Sequence, residues 1–83
     1  MLQINETVRV AVIFGPDESP RPIWFDWKQR KYQIDEITYR WREQQGETTL
    51  HHYATAVAGN LYELIYDAKK QNWTLATVDT EQR

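Results

Sequence analysis

The chain has no cysteine and a single serine, Ser19. No disulfide framework holds it together, and no thiolate ligates a metal or attacks a substrate. Glycine and proline are scarce, three of each. All the prolines fall in residues 15–22, and Gly15-Pro16 is not a phosphate-cradling glycine loop. No apolar run approaches the ~18–20 residues of a membrane span. Met1 to Glu6 lacks the basic and apolar regions of a signal peptide, so the expectation is a cytoplasmic protein with no membrane partner. Charge of one sign is not in excess either. Ten Lys and Arg against twelve Asp and Glu give −2, which disfavours a strong nonspecific polyanion binder.

What remains must fold as one domain, 1–83, with fraying expected at 1–3 and 80–83. A chain this short buries little more than ~60% of its unfolded surface, so its core depends on large side chains. Four Trp, five Tyr and two Phe supply them, each able to bury ~150–250 Å².

Val8, Val10, Val12 and Phe14 alternate with other residues, and β-branched residues at period two indicate a strand. Ile13, on the opposite parity, is expected to be buried too. The proline-bearing stretch 15–22 is an irregular loop. Ile23 to Ile34 then reads as a hairpin about Lys28-Gln29. Trp27 faces Arg30, Phe25 faces Tyr32 and Ile23 faces Ile34, leaving Trp24, Asp26, Lys31 and Gln33 on the other side. The turn departs from the usual Asn-Gly.

Ile37, Tyr39 and Trp41 switch parity relative to Tyr32 and Ile34. A β-bulge at Asp35-Glu36 would restore one apolar face and turn Arg40 and Arg42 outward. A short helix from Asp35 is the competing reading. Residues 43–47 read as a turn, Thr48 to Val57 as a strand of ambiguous facing, and Gly59-Asn60 as a tight turn. Leu61, Leu64, Ile65 and Ala68 fit a helix capped by Asn60, whereas Tyr62, Leu64 and Tyr66 fit a strand. Alternation resumes from Trp73 to Val78. The expected fold is an all-β antiparallel sheet of about six strands, curled toward a barrel or half-barrel. The alternative is α+β with a short helix at 61–70. The expected core is Val8, Val10, Val12, Phe14, Ile23, Phe25, Tyr32, Ile34, Ile37, Tyr39, Trp41, Leu64, Trp73 and Leu75, with Trp27 over one rim.

Catalytic chemistry finds little to work with. Ser19 would need the distant His51 or His52 as its base, and a solvated loop serine is the simpler reading. His51 and His52 are adjacent, and neighbours on a strand point to opposite faces, so they do not share a metal ion. Neighbouring carboxylates on a strand diverge for the same reason, and loop carboxylates are usually solvated, so neither Asp17-Glu18 nor Asp35-Glu36 reads as a catalytic pair. The expectation is no enzyme, no catalytic residue, no metal and no cofactor.

One constellation suits a ligand. Residues 21–42 carry six bases and three acids, while 1–20 carry one and three, and 43–83 three and six. Trp24, Lys28, Arg30, Lys31, Arg40 and Arg42 form a basic-aromatic set in that stretch. A ring flanked by cations stacks a base and neutralises phosphates. The same set is also what a solvated sheet face presents, or a protein-docking surface.

Several of these residues together resemble a group of small bacterial all-β domains of unknown function. They are Pro22-Ile23-Trp24-Phe25-Asp26-Trp27, Arg30-Lys31-Tyr32, Arg40-Trp41-Arg42, Leu61-Tyr62-Glu63-Leu64, Asp67 and Trp73-Thr74-Leu75. Gln29 stands where that group has a turn glycine. The resemblance implies a mostly β fold, hence a strand at 61–67, and implies no activity. The functional expectation is a non-enzymatic interaction module that recognises a protein. The alternative is a nucleic-acid-binding module using the basic-aromatic face of 21–42.

Overall fold

A computed structural model describes residues 1–16 and 19–80. The chain forms seven strands: β1 (Leu2–Ile13), β2 (Arg21–Trp27), β3 (Arg30–Gln33), β4 (Glu36–Gln45), β5 (Thr48–Val57), β6 (Asn60–Asp67) and β7 (Asn72–Asp79). They lie in one antiparallel sheet in the order β3-β2-β1-β7-β6-β5-β4. The all-β expectation holds, with seven strands rather than about six. The segment read as one bulged strand, 30–42, is two strands.

Those two strands occupy opposite edges of the sheet, yet only Ile34 and Asp35 join them. The sheet must therefore curl until its edges meet at that corner, giving a half-barrel. The junction is bonded on both sides. Ile34 N donates to Ile23 O at 3.0 Å, and Asp35 N to Ala56 O at 2.8 Å. The Asp35 carboxylate also accepts from Ala58 N at 2.9 Å.

The hairpin register is the expected one, Phe25 with Tyr32 and Trp27 with Arg30. Lys28 and Gln29 both take positive φ, 53° and 62°. This is the backbone a two-residue turn needs to match strand twist, held here without glycine. The next tight turn is centred on Ala58-Gly59, one residue earlier than Gly59-Asn60, because Val57 pairs with Asn60. No helix forms at 61–70. Leu61–Asp67 has strand partners on both sides, and those ladder bonds outweigh its helical spacing. Leu2 and Gln3 pair with Val78 and Thr77. Residues 81–83 lie outside the described residues.

The concave face holds the core. Phe25, Tyr53, Leu64 and Leu75 are fully buried, with Val57, Tyr62, Trp73 and Val78 beside them. Phe25 stacks on Tyr32 at 5.1 Å between ring centroids and meets Tyr62 edge-on. At the other end Trp73 lies between Tyr53 and Tyr66, at 5.4 and 4.9 Å. Aromatic pairs of this kind add ~0.5–1.5 kcal/mol each beyond area burial. The Tyr53 hydroxyl donates to the Pro20 carbonyl, tying the loop after β1 across the open end. Burial raises the Tyr53 phenol above its ordinary value.

Four expected core residues are not in the core; Ile23 is half-buried without packing on it, and the other three are exposed. Phe14, Tyr39 and Trp41 are 63%, 66% and 38% exposed, and Ile13 is exposed as well. Phe14 follows the end of β1 and leaves the sheet. Tyr39 and Trp41 are turned outward by a register break at Thr38, between Ile37 and Tyr39. Ile34 and Ile37 both pack on the core, but across the junction between β3 and β4 rather than across a bulge within one strand. The break at Thr38 then reverses parity. It places Arg40 opposite Tyr53 on the concave side, and Trp41 opposite His52 on the convex side.

Candidate functional site

The six expected site residues divide between two places. On the convex face of the β2–β3 hairpin, Trp24 pairs with Gln33, and Asp26 lies between Arg9 and Lys31. Arg9 Nε donates to Asp26 Oδ2 at 3.0 Å, and Lys31 Nζ sits 4.7 Å from the centre of the Trp24 ring. Lys28 covers Trp27 at 4.8 Å, and Arg30 lies 6.0 Å from Tyr32. Three of the hairpin's cations thus cover its own rings, each contact contributing ~0.5–1 kcal/mol at an exposed site. A base stacking on Trp24 would have to displace Lys31.

Arg40 and Arg42 are on β4, at the far edge. They share the concave side with Tyr53 and His51, their cross-strand partners. There they line a cleft of about 370 Å³ with Ser19. A second hollow of about 480 Å³ shares Ser19, Arg42 and His51 and continues along Phe14, Tyr66 and Ala68. Burial pushes the His51 imidazole below the usual histidine value, and Arg42 and then His52 push the same way.

The convex side of β4 is different. Tyr39 and Trp41 lie 5.3 Å apart, and Trp41 stacks on His52 at 4.8 Å with planes 16° apart. His52 is buried on this outer face, not on the inner one. Its Nδ1 is 2.8 Å from Glu63 Oε2 and its Nε2 2.9 Å from Glu43 Oε1. Hydrogen bonds from Gln45 and from His52 lower the Glu43 carboxyl below its ordinary value. Beyond Trp41 the apolar surface runs into a hollow of about 130 Å³ bordered by Met1, Ala54 and Leu61.

Sequence reasoning anticipated that His51 and His52 diverge, and their partners Arg42 and Trp41 confirm it. It missed the outward Tyr39–Trp41 pair and the inward Arg40–Arg42 pair, since Thr38 carries no mark of a bulge. Ser19 borders the cleft beside His51, while Asp17 and Glu18 lie outside the described residues. Among the described residues no cluster of three or more His, Asp or Glu could hold a metal ion, and no helix is long and apolar enough to cross a membrane.

The chain matches no family model, no curated protein and no solved structure in comparison with known proteins. The resemblance to small bacterial β domains rests on the quoted residues alone.

Proposed function

We propose that the protein is a non-enzymatic cytoplasmic interaction module that takes up an extended segment of another protein along β4. The observation that carries this reading is β4 itself. It is a ten-residue edge strand, exposed along almost its whole length, with an aromatic pair on its convex side. A long open edge is a template for an added strand. The partner chemistry follows from parity: apolar residues at alternate positions, to lie against Tyr39 and Trp41. Self-pairing centred on Arg40 or Trp41 would set arginine opposite arginine, and like charges directly opposite destabilise a ladder. A different protein therefore suits the edge better than a second copy.

The probe is a blocked peptide alternating valine and threonine, with a lysine at each end. Added to ¹⁵N-labelled protein, it is expected to slow amide exchange along 36–45 and to shift the Tyr39 and Trp41 signals. Tyr39→Ser and Trp41→Ser each weaken the effect, and Trp24→Ala leaves it intact. Unchanged β4 amides would sink the proposal. So would binding of a labelled oligonucleotide at low salt that Trp24→Ala abolishes.

A further inference from the structure

We infer that the concave cleft between β4, β5 and the loop at Ser19 is a binding site for a phosphate monoester carried on a planar ring, a nucleoside monophosphate in chemical class. The site uses the concave side chains of β4, whereas the peptide reading uses Tyr39 and Trp41 on the other side, although Trp41 and His52 also border the cleft.

Four observations converge on it. Arg40 and Arg42 are two residues apart on one side of a strand, which spaces their stems about 6.6 Å apart. Two guanidinium groups so placed can close on one phosphate, and the planar fork suits paired contacts to its oxygens. Second, His51 stands directly across from Arg42, and the Ser19 hydroxyl borders the same space. Both are neutral hydrogen-bonding groups for the remaining oxygens. Third, among the described residues no carboxylate lines either part of the cleft, and neither arginine is in an ion pair. The contrast is with Arg9, whose charge Asp26 answers. Fourth, the cleft continues along an aromatic wall. Tyr66 lies 6.1 Å from His51, and the exposed Phe14 ring lines the same hollow. Rings at that position offer stacking to a planar group whose phosphate lies on the arginines.

The combined space of two adjoining hollows, about 370 and 480 Å³, lies within the range of small-ligand sites. On the hairpin, Lys31 covers Trp24 and Arg30 lies over Tyr32, and the hollow of about 470 Å³ that both cations border also contains Asp35, a carboxylate of the kind the concave cleft lacks among its described lining. The cleft owes its chemistry to the register break at Thr38, which turned both arginines inward.

The test is an NMR titration of the labelled chain with adenosine 5′-monophosphate, inorganic phosphate and adenosine in parallel. Asp17 and Glu18 adjoin Ser19, so Asp17→Asn/Glu18→Gln is titrated beside the wild type to keep a neighbouring acid from masking the site. The nucleotide is expected to move the imidazole signals of His51 and the ring signals of Tyr66 and to leave those of Trp24 in place. It should bind more tightly than phosphate or adenosine alone. Arg42→Gln and Arg40→Gln, both at exposed positions, each lower its affinity roughly tenfold or more. The inference is overturned if neither form of the chain responds to the nucleotide, if phosphate alone binds as tightly, or if the shifts fall on Trp24 and Lys31. Peptide binding at the β4 edge reads a different face, so either idea can fail alone.

Discussion

Strands β4 and β5 are both ten residues long, pair with each other along their length, and carry aromatic residues in their middles. One is exposed nearly throughout, and the other holds Tyr53 and Thr55 with almost no exposure. Composition does not explain why Tyr39 and Trp41 are exposed while Tyr53 is buried, because all three are large aromatic rings. Position does. β5 has β4 on one side and β6 on the other, and its concave face meets the core. β4 has one neighbour, and beyond it the sheet ends. Burial here is a property of the site in the sheet, and a large ring at an edge stays available for something else.

The largest test of this contrast is a matched pair of truncations. Tyr53→Ala is expected to cost ~3–5 kcal/mol in urea unfolding, enough to threaten a domain of this size. Tyr39→Ala should stay within ~0.5 kcal/mol. If the two cost the same, the edge is not an edge in solution. Removing only the hydroxyls sharpens the point. Tyr53→Phe orphans the Pro20 carbonyl and should cost about 1–2 kcal/mol, with Tyr39→Phe near zero.

A smaller effect is expected at the other edge of the sheet. Gln29 holds φ 62° without being glycine, a conformation that costs an L-residue ~1–2 kcal/mol. Gln29→Gly should therefore raise stability, by about 0.5–1 kcal/mol once the chain entropy of glycine is subtracted. A loss of stability would show that the turn is held by something other than backbone preference.

The smallest effect is in pH dependence, and it separates the faces of β4. On the convex side, the lowered Glu43 value means stability present above the ordinary 4.5 and lost as pH falls through the folded value. Glu43→Gln should flatten that acid limb. On the concave side, the lowered His51 value means the unfolded chain takes up its proton first. Stability then falls as pH drops from the ordinary 6.5 toward the folded value. His51→Gln should remove that earlier step and leave the Glu43 step. A single merged step unaffected by either substitution would contradict the assignment.

The hairpin was legible because its information is local. Alternation from Ile23 to Ile34 specifies which side chains face each other, and the register followed, down to Trp27 opposite Arg30. The strand at Leu61–Asp67 was legible only in part, since Leu61, Leu64 and Ile65 fit a helix as well. Pairing with β5 and β7 decided it. The candidate ligand surface was legible as a set of residues but not as a place, because two residues, Ile34 and Asp35, carry the chain from one edge of the sheet to the other.

By itself, then, the order of residues determined the all-β class, the core at Phe25 and Leu64, and the divergence of His51 from His52. These depend on side-chain period and on neighbours a few residues away. Tertiary structure alone decided which face of β4 looks inward, which aromatic rings are covered, and that Arg40 and Arg42 belong with Tyr53 rather than Trp24. One unmarked extra residue at Thr38 reverses every side chain after it. Whether a ring is buried depends on strands that pair from far along the chain.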